Sequence, residues 1–93
     1  MVVEIGMSGF ARKQLKKTPG YIQTKFTYWC DLLQQFGLRE SRKYKGFHDE
    51  PLKGLRKGQR SVRLSKSYRV VYLELEDDRF EVIDVLEVTK HEY

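Results

Sequence analysis

Two hydrophobic periods divide this chain. From Tyr21 onward, apolar side chains recur at helical spacing: Ile22, Phe26, Trp29 or Cys30, and Leu33 form one stripe. From Gln59 the period falls to two. In QRSVRLS, Val62 and Leu64 occupy one face while Ser61, Arg63 and Ser65 occupy the other. YRVVYLELE and RFEVIDVLEV continue as strands, joined at Asp77-Asp78 by a hairpin turn. Ahead of the helical stripe, VVEI reads as a short first strand. Ser8 reads as the N-cap of a basic helix, GFARKQLKK, whose Phe10 and Leu15 are expected in the core. Thr18-Pro19-Gly20 halts that helix, and Gly37 is the expected stop of the next. Residues 39 to 58, with glycines at 46, 54 and 58 and a proline at 51, read as an irregular loop of a length that is often functional. The expected fold is α+β: an N-terminal strand, two helices, then a three-stranded antiparallel meander forming a curved sheet with the helices on one face.

Size and charge narrow the function. Ninety-three residues leave room for one domain, 1–93. The single cysteine, Cys30, excludes an internal disulfide and a cysteine-clustered zinc site, which fits a reducing cytoplasm. The start of the chain lacks the pattern of a signal peptide, and no segment approaches the ~20 apolar residues of a membrane span. Trp29 and Cys30 are read as core residues. The net charge of +5 is unevenly placed: Arg39 to Arg69 holds 11 basic residues against Glu40, Asp49 and Glu50, whereas Val70 to Tyr93 holds 8 acidic residues against Arg79 and Lys90. Tyr44, Phe47 and Tyr68 are set among the basic residues. This composition predicts a groove for a polyanion, nucleic acid first, with Lys45, Lys53, Arg56, Lys57, Arg60 and Lys66 as RNA-binding candidates.

Candidate chemistry gathers where the meander ends. Arg63 and Arg69 reach the same polar surface if the turn between them sets the register. The third meander strand returns toward the start of the second, which directs His91 and Tyr93 of the terminal VLEVTKHEY toward Arg69. Glu50 precedes the first meander strand and can fold over the same end. RNA cleavage without a metal requires such a set: a base for the ribose 2′-OH, cations for the charge gathering on phosphorus, and an acid for the leaving 5′-oxygen. Glu50 suits the base, and the two guanidiniums suit the phosphate. His91 and Tyr93 can each move a proton. Taken singly, each residue also has a plain reading as a loop charge, a salt-bridge partner, a solvated ring or a cover for the sheet edge. His48-Asp49-Glu50 with His91-Glu92 lacks a defined ligand spacing, so no metal and no cofactor is expected.

The segment EPLKGLRKGQRSVRLSKSYRVVY, followed by VLEVTKHEY, resembles the RelE/ParE superfamily of type II toxins, near the YoeB-like and HigB-like mRNA interferases. The likeness is strongest from Asp49 to Tyr93. It implies a toxin that cleaves mRNA in the ribosomal A site, with Glu50 as general base, Arg69 and Arg63 on the phosphate, and His91 and Tyr93 completing the site. The implied partners are a cognate antitoxin laying an acidic segment over the basic face, mRNA on the ribosome with its rRNA, and operator DNA only through the antitoxin. In YoeB-like chains the histidine and tyrosine are adjacent, whereas Glu92 separates them here, leaving open which of the two is the acid. Two alternatives stand beside this reading: a ParE-like gyrase inhibitor that catalyses nothing, and a degenerate toxin fold that binds RNA or a partner.

Overall fold

The computed structural model describes residues 3–75 and 81–90. A first strand, β1 (Val3–Met7), leads into α1 (Gly9–Lys16) and a long α2 (Gly20–Ser41). A single 3-10 turn at Lys45–Phe47 precedes β2 (Glu50–Pro51), and a second at Gly54–Arg56 precedes β3 (Gln59–Arg63), β4 (Tyr68–Leu75) and β5 (Glu81–Lys90). The expected meander is β3, β4 and β5, in antiparallel register. Two further strands extend it into a five-stranded curved sheet of order β1-β5-β4-β3-β2. β1 joins β5 in parallel and β2 joins β3 in antiparallel sense. Residues 39–58 are therefore less irregular than their glycine content suggests.

The period-two residues fall where the pattern puts them. Val62, Leu64, Val70, Val85 and Val88 are buried on the face that carries the helices. Ile22, Phe26, Trp29 and Leu33 of α2 meet them, and the Trp29 and Tyr72 rings lie 5.4 Å apart between centroids. Cys30 packs at the edge of this core, and burial, followed by the charge of Asp31, pushes its thiol up to about 12. Among the described residues, no helix is long and apolar enough to cross a membrane.

Helix α1 departs from expectation in one side chain. Ser8 does cap it, accepting from the Ala11 amide at 3.0 Å. That cap sets the phase so that Ala11 is buried and Leu15, one turn later, packs against the core. Phe10 stands one position off this line and is 60% exposed. The same helix completes the backbone pairing of β5 beyond the point where β1 ends. The Ser8 hydroxyl donates to the Leu86 carbonyl at 3.0 Å, and the Gln14 side-chain oxygen accepts from the Val88 amide at 2.7 Å. Two side chains thus stand in for the missing end of an edge strand.

Gly37 interrupts α2 without ending it. Its φ of 81° and ψ of 168° lie in a region open essentially to glycine alone. A further turn follows because Leu38 is buried and the Ser41 hydroxyl donates to the Gly37 carbonyl at 2.7 Å.

A buried polar contact fixes β2. The Asp49 carboxylate is only 3% exposed; it accepts from the Tyr72 hydroxyl at 2.5 Å and from Arg60 Nε at 2.7 Å. Arg42, which also pairs with Glu74 at 2.6 Å, brings its Nε to 3.9 Å from the same carboxylate. A buried carboxylate without donors would cost several kcal/mol, so these partners decide where residue 49 sits. Burial, and then the hydrogen bond to Asp49, raises the Tyr72 phenol well above the ordinary tyrosine range.

Two outcomes test these interactions. Gly37→Ala forces a side chain into a glycine-only conformation and is expected to cost about 1–3 kcal/mol, read as a lower denaturant midpoint at unchanged slope. Tyr72→Phe leaves Asp49 short of one donor and is expected to cost roughly 1–3 kcal/mol at neutral pH. Because the folded state holds the Tyr72 proton more tightly than the unfolded state, this contribution is complete below about pH 10 and is lost as the pH rises further. Wild type should therefore lose stability more steeply than Tyr72→Phe above that pH, measured by thermal melts across the range.

Candidate functional site

Successive residues of an extended chain point to opposite faces. The chain enters β2 through His48, whose left-handed φ of 45° turns it out of the first 3-10 turn, which Phe47 anchors in the core. With Asp49 held on the helix side of the sheet, Glu50 emerges on the other side. It stands opposite Ser61 in the β2–β3 register, while Pro51, lacking an amide donor, takes an edge position opposite Arg60.

On this open face the registers align two rows. One row runs Glu50, Ser61, Val71 and Glu87 across four strands; the next runs Arg63, Arg69 and Thr89 across three. Arg69 reaches diagonally from the second row to the first. Its Nη1 lies 3.3 Å from a Glu50 carboxylate oxygen and 3.4 Å from the Ser61 hydroxyl. Arg63 is directly opposite Arg69, and its Nε is buried with no hydrogen-bond partner among the described residues. Like charges directly opposite each other weaken a sheet, so this pair is a stability cost that an anionic ligand would relieve. The condition set on the β3–β4 turn is met, since both guanidiniums belong to one face.

A groove of about 340 Å³ opens here, floored by Val71 and bordered by Arg56, Ser61, Arg69, Glu87 and Lys90. Arg56 comes from the second 3-10 turn and pairs with Glu87. Lys53 and Lys57 flank that turn and are exposed, as are Lys45 in the first turn and Lys66 between β3 and β4. Arg60 is placed differently from the other RNA-binding candidates. It stands opposite Tyr72 and its Nε is engaged by Asp49 on the helix side. His91 and Tyr93 lie outside the described residues; they follow Lys90, which pairs with Tyr68 at the end of β5.

The sequence reading named Glu50, Arg63 and Arg69, and the fold brings these three together. It missed Ser61, Glu87, Thr89 and Lys90 as groove residues. Parity with Arg63 already placed Ser61 on the correct face, whereas Glu87 and Thr89 needed the β4–β5 register, which a bulge between Val71 and Tyr72 shifts by one residue. Asp49 was missed for another reason: nothing local says which of two adjacent carboxylates is buried.

No family model matches the sequence, and no curated protein matches it. Solved structures do. YafQ from E. coli aligns over 95% of this chain and 92% of its own, with a TM-score of 0.74 at 21% identity. The archaeal RelE–RelB complex from Pyrococcus horikoshii aligns over 97% and 96%, with a TM-score of 0.70 at 22% identity. A YoeB/ParE toxin from Agrobacterium tumefaciens aligns over 96% and 99%, with a TM-score of 0.68 at 19% identity. Mutual coverage is near-complete in all three: the chain has the fold of the RelE- and YoeB-like toxins.

Proposed function

We propose that this chain is the toxin of a type II toxin–antitoxin pair and that it cleaves mRNA on the ribosome without a metal. The observation that carries the reading is the Glu50–Arg69 contact at 3.3 Å on the open sheet face, with Arg63 directly opposite. A carboxylate that can accept a proton and a guanidinium whose planar fork suits a phosphate thus stand side by side on that face.

The reaction assigns one task to each group. Glu50 takes the proton of a ribose 2′-OH, and the oxygen attacks the adjacent phosphorus. Arg69 and Arg63 hold the charge that gathers on the phosphoryl oxygens. The 5′-oxygen leaves with a proton from His91 or Tyr93, so the ends are a 2′,3′-cyclic phosphate and a 5′-hydroxyl. Ordering of the mRNA by the ribosome supplies the alignment that a small open groove lacks. Lys45, Lys53, Lys57 and Lys66 would contact phosphates around the site or rRNA. The structural relatives include the DinJ–YafQ and RelE–RelB complexes, which supports an antitoxin partner for this chain, with an acidic segment crossing the basic face.

Primer extension on a translated reporter mRNA tests this. Wild type is expected to give cuts in phase with codons that require ribosomes and leave 5′-hydroxyl ends. Arg69→Ala should reduce cutting by about 10²–10³ and Glu50→Gln by about 10²–10⁴, with ribosome binding retained. Removal of residues 91–93 should abolish the cuts. Intact mRNA beside arrested growth would overturn the nuclease reading in favour of a gyrase inhibitor, and intact mRNA with normal growth would leave a binding module.

A further inference from the structure

The Glu87 carboxylate is out of place in a groove for phosphates. It lies on the same floor as Arg69, two residues along β5 from Thr89, the residue opposite Arg69. It would repel a phosphate, and its side chain is 21% exposed, so it is accessible from the groove. Beside it lies the Arg56 guanidinium, itself 47% exposed, which pairs with Glu87 and also donates to the Gln59 side chain at 3.2 Å. A hydrogen-bond acceptor and a donor therefore sit side by side at one end of the groove. Between them and Glu50 the floor is Val71 and then Ser61, whose hydroxyl Arg69 engages, and Leu52 lines the same groove beside Val71.

An apolar floor with a polar edge is the shape that suits a nucleobase, whose faces are apolar and whose rim carries the hydrogen-bonding groups. Resting on the nucleic-acid reading above, we propose that Glu87 and Arg56 form a base-reading subsite that takes guanine. Guanine alone among the four bases presents two adjacent donors, N1–H and the N2 amino group, next to an acceptor, O6. The two donors match the two oxygens of Glu87, and O6 matches an Arg56 N–H. A carboxylate has about four lone-pair sites and a guanidinium five N–H donors, so the base adds to their mutual contact without having to break it. Cytosine and adenine offer a single amino donor beside an acceptor, and uracil offers one donor between two acceptors. Arg69 and Val71 are two residues apart on β4, about 7 Å at the rise of a strand, so a nucleotide whose base rests on Val71 places its phosphate toward Arg69.

The test is binding, which does not depend on cleavage. The four nucleoside 3′-monophosphates are titrated into isotope-labelled protein, and the amide resonances of Val71, Glu87 and Thr89 are followed. Guanosine 3′-monophosphate is expected to bind about ten-fold more tightly than the other three, the discrimination that one good bidentate contact provides. Glu87→Gln should bring all four to parity with an otherwise unchanged spectrum, and Arg69→Ala should weaken all four alike. Equal binding of the four to wild type, no binding at millimolar concentration, or a guanine preference that survives Glu87→Gln would each overturn the proposal. A protein that discriminates guanine yet leaves mRNA intact would retain the subsite and lose the nuclease reading.

Discussion

The open face is organised by a carboxylate on the opposite side of the sheet. β2 is two residues long, pairs with one neighbour and contains a proline. So short a strand is not held by its own ladder. Asp49, fastened to Tyr72 and Arg60 from β4 and β3, holds it. Alternation then leaves Glu50 one direction to face. The hydrogen bonds are the stronger for being dry, and the same dryness makes loss of any one of them expensive. The position of the proposed base is thus set by a residue that no substrate touches.

The two faces of the sheet divide stability from chemistry. The helix side is packed with Trp29, Tyr72 and the β-branched residues of four strands, and its buried carboxylate, Asp49, finds donors in Tyr72 and Arg60. The open side does the reverse. It places two arginines opposite each other and leaves an Arg63 nitrogen without a partner among the described residues. Exposed ion pairs such as Glu50–Arg69 contribute at most about 1 kcal/mol. Little stability is lost if a ligand exchanges these contacts for its own.

How far the sequence could be read depended on the range of the signal. Period-two and helical spacing placed Val62, Leu64 and the α2 stripe correctly, because burial of an apolar face is a local pattern with a non-local consequence. Phe10 escaped because a helix's phase is set by its cap, and a one-position error moves a side chain by about 100°. The parallel partnership of β1 with β5 has no local signature at all, since it joins residues from the two ends of the chain. Among the site residues, Glu50, Arg63 and Arg69 were legible from motif and parity, and Ser61 was legible as to its face. Glu87 required the bulge to be known, and Asp49 required its buried partners.

The pairing of the first strand with the last also constrains when the protein exists. The Ser8 hydroxyl and the Leu86 carbonyl meet across 78 positions of sequence, and β5 lies between β1 and β4 in the sheet. Until β5 has left the ribosomal tunnel, β1 has nothing to pair with and β4 has only β3. Contacts of such long range close late and slowly. The molecule thus acquires its open face only once β5 is free to pair. A nascent chain stalled before β5 lacks the strand that joins the rest of the sheet.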